Sequence, residues 1–353
     1  MRRPSDPASG AALEIRATLQ PAFQGILQRS WLNVSARYQL LSQLGRGRQG
    51  IVYRARREGS RACETTHALK VFDPSIYSSA EDYRADMGRI ATQVSRLHGL
   101  RSPNLVNCDF YEECEDVGFV QMEHIAGIEL GHFLMVAETR ALGFNEVFFN
   151  HFQGHLCVQP GIAIHIMREM LSGLETLHAA GYLHCDIEPS NVMIGPLGYV
   201  RLIDLGRAQQ VGDEAGLLFG TPHYAAPEIL AGARPSIRSD LYSVGQVGLE
   251  LLTGGVLFPE RDPSRGILLR RKKELVSDLR ARLPSYVARN EEFVNILARL
   301  LAPDPDDRYT SAASAEVYGS GLATVHKQLT RMNFDSDYRR DLASFVRENV
   351  NAP

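Results

Sequence analysis

The sequence predicts an α+β protein with two lobes, because a strand-rich region precedes a region that is mainly helical. Strand patterns occur at 38–44, 51–53, 68–72, 105–110 and 117–123, with one helical segment near 80–100. From about residue 128 onward the chain has long amphipathic segments at 162–180, 236–253, 290–301 and 311–330. We therefore expect a small β-rich lobe, a larger helical lobe and a ligand-binding cleft between them.

The composition is that of a folded chain without a strong preference for a charged partner. The chain has 353 residues, of which 44% are hydrophobic and 22% charged, and its formal net charge is −3. These values permit a sizeable core and give no overall field that would attract nucleic acid or an anionic membrane. No window approaches 18 uninterrupted apolar residues, so we expect no membrane span and no signal peptide.

The five cysteines are an odd number and are scattered along the chain without a C-x-x-C pair. This spacing gives neither a disulfide framework nor a zinc site, and it is typical of a protein in a reducing compartment. We therefore expect a cytoplasmic protein.

A glycine-rich segment, Gly45-Arg46-Gly47-Arg48-Gln49-Gly50, lies between two strand patterns. Glycines let the backbone approach phosphate oxygens and offer N–H donors to them. A dinucleotide-binding turn would need a helix directly after the last glycine, whereas a strand pattern follows in this chain. The segment alone could be an ordinary glycine-rich hairpin, but its position favours a loop that covers phosphates.

Further motifs follow in a fixed order. Lys70 lies in a strand pattern twenty residues after Gly50. The run His184-Cys185-Asp186-Ile187-Glu188-Pro189-Ser190-Asn191 is followed by Asp204-Leu205-Gly206 and then by Ala226-Pro227-Glu228. Together with the glycine-rich segment, this series resembles that of the eukaryotic-type protein kinases, from about Tyr38 to Leu322. The resemblance implies a two-lobed protein-kinase fold and a protein serine/threonine kinase that uses ATP and Mg²⁺.

The resemblance also implies a role for individual residues. Asp186 would take the proton of the acceptor hydroxyl, Lys70 would bind the α- and β-phosphates, and Asn191 and Asp204 would hold Mg²⁺. Met122 would be the gatekeeper beside adenine, and Glu129 would reach the ribose. The full set implied for ATP is Leu44, Gly45, Gly47, Gly50, Val52, Ala68, Lys70, Met122, Glu123, Ile125, Glu129, Met193 and Ile203.

Three positions depart from the family pattern. Cys185 stands where the family usually has Arg, Glu188 where its Ser/Thr kinases usually have Lys, and Gln93 where the Lys70 partner is usually Glu. The last two changes remove useful charge near the phosphates, unless Arg46, Arg48 or a basic substrate compensates. The alternative interpretation is therefore a pseudokinase, which is a nucleotide-binding or scaffolding module with little or no catalysis.

The expected organisation is an N-terminal extension (1–37), a kinase domain (38–325) and a C-terminal extension (326–353). Within the kinase domain we expect an N-lobe (38–125), a C-lobe (126–325) and an insertion at about 131–160. The sequence of the insertion predicts a helix whose aromatic residues pack on the large lobe or on a partner protein. A metal site at His151, His155 and Cys157 is a weaker alternative. The basic run 270–273 indicates a solvated helix face, or a substrate-docking patch.

The segment from Asp204 to Glu228 contains only two hydroxyl groups, those of Thr221 and Tyr224. By resemblance, Thr221 bonds to the catalytic Asp, which favours Ser/Thr acceptors, and Glu228 pairs with Arg308. Cys185 cannot pair with a phosphate, so we expect a loop that needs no phosphorylation. Any control would then come from the insertion, the flanking extensions or a partner.

Overall fold

The computed structural model describes residues 15–139, 148–213, 221–255, 257–258, 264–317, 319–331 and 337–350. Its contacts divide the chain into two compact units. Unit 1 comprises residues 1–101 and 106–124, and unit 2 comprises residues 102–105 and 125–353. Unit 1 contains a large β-sheet and unit 2 is mainly helical, which confirms the predicted α+β, two-lobed architecture.

In the described residues of unit 1, six strands form one antiparallel sheet in the order β1-β2-β3-β4-β6-β5. The strands are β1 (Trp31–Asn33), β2 (Arg37–Gly47), β3 (Gly50–Glu58), β4 (Glu64–Phe72), β5 (Cys108–Cys114) and β6 (Val117–Glu123). The helices are α1 (Gln20–Leu27), which follows a π-helical turn at Ile15–Leu19, and α2 (Ala80–Leu97). The strand predicted near 105–110 begins later, at Cys108.

One face of this sheet is covered by the N-terminal residues. Ile51, Leu69 and Val71 lie in a single buried cluster with Phe23 and Ile26 of α1. Strand side chains alternate between faces, so the residues between these core positions point to the opposite face. The described part of the predicted N-terminal extension thus completes the core of unit 1 and leaves the other face of the sheet for different contacts.

Helix α2 begins at a clear cap and has one apolar stripe. The Ser79 hydroxyl accepts a hydrogen bond from the Asp82 backbone N–H, which satisfies a donor of the first turn. Tyr83, Met87 and Ile90 recur at helical spacing and are buried. The predicted segment near 80–100 is therefore confirmed, and Gln93 lies on the same buried side.

Unit 2 is built mainly on helices of different lengths. They are α3 (Leu130–Thr139), α4 (Pro160–Ala179), α5 (Pro227–Leu230), α6 (Ile237–Thr253), α7 (Arg265–Glu274), α8 (Leu279–Arg282), α9 (Ser285–Ala288), α10 (Glu291–Leu300), α11 (Ala312–Glu316), α12 (Leu322–Arg331) and α13 (Tyr338–Val350). The strands are β7 (Ile128–Glu129), β8 (Phe149–Phe152), β9 (His155–Val158), β10 (Tyr182–Leu183), β11 (Val192–Ile194), β12 (Val200–Leu202) and β13 (Gln209–Gln210).

Helices α4 and α6 pack against each other and form the centre of unit 2. At Gly248 of α6 an added Cβ would lie 2.4 Å from the Met167 sulfur of α4, so a larger residue there would require the methionine side chain to move. The predicted segments at 162–180, 236–253 and 290–301 are confirmed. The segment predicted at 311–330 is two helices, because Gly319 adopts φ +106° between them.

The insertion is only partly the helix that its sequence predicts. Helix α3 covers its start, but β8 and β9 form an antiparallel hairpin. Gln153 and Gly154, at the turn, both have positive φ, as a tight two-residue hairpin requires. The rings of Phe149 and Phe133 pack against Phe345 of α13, so these aromatic side chains lie inside unit 2.

One aromatic residue of the insertion, Phe144, lies outside the described residues. The weaker alternative for the insertion was a metal site at His151, His155 and Cys157. Among the residues that the structure does describe, no group of three His, Cys, Asp or Glu side chains could hold a metal ion. The Cys157 thiol instead lies within hydrogen-bond distance of the Asn150 carbonyl and the Tyr286 hydroxyl.

The C-terminal helix α13 is an integral part of unit 2. An added Cβ at Gly198 would lie 1.8 Å from the Arg339 carbonyl oxygen, so the two backbones touch. The Arg339 guanidinium lies 5.0 Å from the centre of the Tyr199 ring. Within the described ranges, no helix is long and apolar enough to cross a membrane.

The predicted ion pair between Glu228 and Arg308 is present. Two guanidinium nitrogens of Arg308 donate to the two oxygens of Glu228, each at 2.7 Å. The Arg308 side chain is 0% exposed, and it also donates to the Ala302 carbonyl. Since the guanidinium is fully buried, the carboxylate is its charge partner in the core of unit 2.

We expect Glu228→Ala to lower the free energy of unfolding by about 3–5 kcal/mol, because it leaves the buried Arg308 charge without its carboxylate. Urea unfolding monitored by circular dichroism measures this loss. Asp306→Ala is the matched control, since it removes an ion pair with Arg238 whose carboxylate is 84% exposed. The control should cost at most about 1 kcal/mol. Equal losses for the two variants would contradict the role given to the buried pair.

Candidate functional site

The glycine-rich segment is a hairpin turn between β2 and β3. Gly47 pairs with Gly50 across a two-residue turn, and a strand follows, as the sequence predicts. Gly50 has φ +155°, and an added Cβ would lie 2.0 Å from the Val71 carbonyl oxygen. Only glycine fits at this position without moving β4. The backbone of the turn is therefore fixed where it returns to the sheet.

Four residues that the sequence assigns to ATP lie on one face of the unit 1 sheet. Val52 pairs with Lys70, and Ala68 pairs with Met122. Because directly paired residues point to the same face and Ala68 is two residues before Lys70, all four side chains share that face. It is the face opposite the buried cluster around Leu69. Alternation along the strands thus gathers apolar side chains and one lysine on one surface.

The remaining predicted positions of unit 1 lie at the ends of these strands. Leu44 is 49% exposed near the end of β2, and Gly45 pairs with Val52. Glu123 is the last residue of β6, and its backbone N–H donates to the Asn107 carbonyl.

Lys70 is buried, with 5% of its surface exposed, and its ammonium donates to the Gln49 side-chain oxygen at 2.8 Å. Gln49 lies at the tip of the glycine-rich turn and is also buried. The sequence did not single out this residue, because the glycine pattern leaves its position unspecified. The contact connects the tip of the turn to the lysine that would bind phosphate.

Gln93 lies on the buried side of α2, where its side-chain oxygen accepts from Arg89 at 3.2 Å. Arg89 also donates to Asp86 at 2.8 Å, and Asp86 accepts from the Tyr77 hydroxyl at 2.6 Å. The Asp86 carboxylate is therefore engaged with Arg89 of the same helix and with Tyr77. The side chain at the position where the family usually has the Glu partner of Lys70 is therefore an uncharged amide that bonds to Arg89.

In unit 2, the loop formed by residues 184–191, the catalytic loop, is attached to α6 through Asp240. The two carboxylate oxygens of Asp240 accept the backbone N–H groups of His184 and Cys185, each at 2.9 Å. His178 lies 2.9 Å from the same carboxylate. Burial alone would raise the pKa of Asp240, but the hydrogen bond and charge of His178, with the contacts of His184, hold it below its ordinary value.

Cys185 adopts φ +63°, a backbone conformation that costs free energy for a residue other than glycine. Its N–H bond to Asp240 holds this turn in place. The next residue, Asp186, follows directly from this anchored turn. The loop continues through a 3₁₀ turn at Pro189–Asn191 into β11.

The Asp186 carboxylate has three described donors. Its Oδ1 accepts from the Arg207 guanidinium at 3.2 Å and from the Thr221 backbone N–H at 3.3 Å. Its Oδ2 accepts from the Asn191 amide at 3.0 Å. Asp186 also lines a cavity of about 30 Å³ beside Cys185 and Thr221, which is large enough to hold a water molecule.

Asn191 and Asp204 offer the oxygen atoms that Mg²⁺ prefers. The Asn191 Nδ2 donates to both the backbone and the side-chain oxygen of Asp186, so its Oδ1 is the atom that can face a cation. Asp204 has φ +60°, and its carboxylate accepts the Gly206 N–H at 3.2 Å. A carboxylate and an amide oxygen fit a magnesium ion that is bound mainly through substrate phosphates.

The other predicted ATP residues of unit 2 lie around the small sheet of β7, β11 and β12. Met193 pairs with Glu129, which places these two residues side by side. The backbone N–H of Ile203 donates to the Asn191 carbonyl at 2.9 Å, so Ile203 lies beside the catalytic loop. Ile125 contacts the neighbouring turn, 3.7 Å from the Cβ position of Gly195.

Glu188 accepts a hydrogen bond from the Ser190 hydroxyl. Partial desolvation, and then the charge of Glu188, raises the pKa of Glu129. Burial raises the pKa of Glu250 to about 7, with the Tyr224 hydrogen bond opposing this shift and Glu188 adding to it. The charge of Glu188 therefore acts against the ionised form of these two carboxyl groups, as it would against a further anion nearby.

The segment 221–228 is held by groups of α6 and α7. The Tyr224 hydroxyl donates to Glu250 at 2.7 Å, and Lys272 donates to the His223 carbonyl at 2.6 Å. Thr221, which by resemblance bonds to the catalytic Asp, donates its backbone N–H to Asp186 Oδ1 at 3.3 Å.

The expectation of a solvated basic face at 270–273 is wrong for Lys272. Arg270, Arg271 and Lys273 are exposed, but Lys272 is 0% exposed. Its ammonium lies over the rings of Tyr242 and Phe258, at 5.2 and 4.9 Å. Burial lowers the pKa of Lys272 well below its ordinary value. A basic run does not show which of its members turns inward.

Comparison with known proteins agrees with this geometry. The family model of the protein kinase domain matches residues 38–318 of this chain. A probable serine/threonine-protein kinase, PknB, of Lactococcus lactis is 27% identical over 282 residues, covering 78% of this chain and 40% of the relative. The serine/threonine-protein kinase pkn3 of Myxococcus xanthus is 30% identical over 324 residues, covering 88% and 53%. The chain spans about half or less of the length of these relatives.

Among solved structures, the PknI kinase domain of Mycobacterium tuberculosis superimposes with a TM-score of 0.57. The two sequences are 20% identical, and the match covers 85% of this chain and 98% of PknI. At this identity the likeness shows the fold. With a family match over most of the chain, the protein belongs to the protein kinase domain family.

Proposed function

We propose that this protein is a serine/threonine protein kinase that transfers the γ-phosphoryl group of ATP to a hydroxyl of a protein. The observation that carries the proposal is the Asp186 carboxylate, held by Asn191 on a loop that Asp240 anchors. The curated relatives, which are named as serine/threonine-protein kinases, support catalysis over the pseudokinase alternative. The kinase domain would span 38–325, with flanking segments 1–37 and 326–353.

Unit 1 would contribute to nucleotide binding through one face of its sheet. Val52, Ala68 and Met122 would pack on adenine, since their side chains share the face that carries Lys70. Lys70 would bind the α- and β-phosphates. To do so, its ammonium would give up the hydrogen bond to the Gln49 side-chain oxygen and donate to phosphate oxygens instead. The backbone of the glycine-rich turn would donate to the phosphate oxygens.

Unit 2 would contribute the chemistry. Asn191 and Asp204 would hold Mg²⁺, which supplies positive charge that neutralises the phosphoryl group. The acceptor hydroxyl oxygen forms a bond to the γ-phosphorus while the bond from that phosphorus to the β-phosphate oxygen breaks and ADP leaves. The hydroxyl proton passes to Asp186, which is the general base of this step.

Partner and location are further parts of the proposal. The acceptor is a protein, as for the family. A partner at the 131–160 insertion would use its exposed turn around Gly154, because Phe148 and Phe149 are buried inside unit 2. The five cysteines are free thiols, which fits the reducing cytoplasm.

Mg·ATP should bind the parent protein and raise its melting temperature through mass action. Lys70→Met should weaken this binding about tenfold or more, because the phosphates lose a charged donor. Isothermal titration calorimetry measures both affinities. Lys273→Met is the control, since this lysine is exposed and lies on α7. The absence of both a heat signal and a thermal shift in the parent would exclude a nucleotide-binding kinase.

Asp186→Asn should reduce phosphoryl transfer by about 10²–10⁴-fold, because the general base is lost. The assay uses γ-labelled ATP, Mg²⁺ and a mixture of generic protein acceptors, followed by phosphoamino-acid analysis. Label on Ser or Thr that depends on Asp186 supports the proposal. Binding of Mg·ATP without transfer would favour the pseudokinase, and label on Tyr would overturn the acceptor class.

A further inference from the structure

A buried arginine contacts the proposed general base. The Arg207 guanidinium lies 3.2 Å from Asp186 Oδ1, and the two side chains are 7% and 10% exposed. An ion pair so far removed from solvent has a defined geometry and is only weakly screened by salt. Arg207 lies directly after Asp204-Leu205-Gly206, outside every motif position that the sequence assigned.

The backbone fixes where this guanidinium begins. The Asp204 carboxylate accepts the Gly206 N–H, and the Ala208 N–H donates to the Leu205 carbonyl, which closes a 3₁₀ turn that ends at Arg207. Arg207 therefore starts from a rigid turn beside a proposed magnesium ligand. Because this turn fixes the backbone of Arg207, it also helps to fix the contact between the guanidinium and Asp186.

The donors on Asp186 divide unequally between its two oxygens. A carboxylate oxygen has two lone-pair sites. Arg207 and the Thr221 N–H occupy both sites of Oδ1, whereas Asn191 occupies one site of Oδ2. Within the described residues, one site of Oδ2 is left for the proton of an acceptor hydroxyl. The orientation of the Asp186 carboxylate thus depends on Arg207 and the Thr221 N–H, which hold its Oδ1.

The charges around the loop give Arg207 a second role. The charge of Glu188 acts on the Glu129 and Glu250 carboxyl groups, and the catalytic loop and the turn after β12 add the acidic residues Asp186 and Asp204. A phosphoryl group brings further negative charge to this region. Arg207 is a cation whose delocalised guanidinium contacts the reacting carboxylate itself.

We propose that Arg207 is a positioning residue for phosphoryl transfer. It holds Oδ1 of Asp186, so that Oδ2 takes the proton of the acceptor hydroxyl. It also supplies the positive charge that is lost because Glu188 stands where the family usually has Lys. This role rests on the proposed kinase function. Arg207 forms and breaks no bond during the step. Its effect is on the orientation of the base and on the charge next to the transferred group.

The test measures transfer kinetics for the parent, Arg207→Lys, Arg207→Met, Glu188→Lys and the double variant Arg207→Met/Glu188→Lys. Calorimetry gives the Mg·ATP dissociation constant of each protein, and differential scanning calorimetry gives its melting temperature. Arg347→Met, on the exposed side of α13, is the control for the loss of an arginine.

We expect Arg207→Met to lower kcat about a hundredfold while the Mg·ATP dissociation constant changes less than about threefold, because the effect is on the base and the transition state. Arg207→Lys should lose about tenfold, since it keeps the charge without the planar fork. Glu188→Lys should increase kcat alone, and in the double variant it should recover about tenfold or more of the loss. The control should match the parent.

Several results would overturn this role. A parental kcat in Arg207→Met, or an increase, would show that Arg207 is dispensable or obstructs Asp186. A loss that follows a fall in melting temperature, with no recovery by Glu188→Lys, would make the residue merely structural. A parent that binds Mg·ATP but transfers no phosphate would overturn the proposed function and this role together, whereas an active parent with an equally active Arg207→Met would overturn this role alone.

Discussion

A buried carboxylate on helix α6 receives the backbone of the catalytic loop. Both oxygens of Asp240 accept loop N–H groups, those of His184 and Cys185, and His178 supports the same carboxylate from α4. These bonds satisfy backbone donors that the left-handed turn at Cys185 would otherwise leave unpaired in the interior. The position of Asp186, one residue later, follows from this attachment and from the donors of Asn191, Arg207 and Thr221.

The same helix also supports the segment 221–228. Gln246 and Glu250 of α6 bond to His223 and Tyr224, and the buried Lys272 Nζ also donates to the His223 carbonyl. The Tyr224 hydroxyl is thus used in the fold, and the expectation that this segment needs no phosphorylation stays a prediction. Since α6 is among the most buried helices of unit 2, it gives the loop and the segment a common rigid support.

The sequence predicted the two-lobed fold and those contacts that the family motifs themselves specify. The strand after the glycine-rich segment and the pairing of Glu228 with Arg308 were both predicted. The motifs do not specify contacts made from positions that the family pattern leaves open. Arg207 reaches Asp186 across 21 residues, and Gln49 reaches Lys70 across 21, from positions that the family pattern leaves open.

The wrong expectations have local physical causes as well. The hairpin of the insertion depends on positive φ at Gln153 and Gly154, while its phenylalanines also fit a helix. Lys272 lies in a basic run, and only the rings of Tyr242 and Phe258 show that it turns inward. Periodicity predicts which face of a helix or strand is apolar, but not which side chains of other elements will pack against that face.

Amide hydrogen exchange in Asp240→Asn tests most directly whether this carboxylate holds the catalytic loop. An asparagine has one acceptor oxygen, so at least one of the two N–H groups loses its partner. We predict exchange at least about tenfold faster than in the parent for peptides covering residues 182–187. Peptides from β3 and β4 of unit 1 should be unchanged, which excludes global unfolding. Parental exchange at His184 and Cys185 in the variant would contradict this role of Asp240.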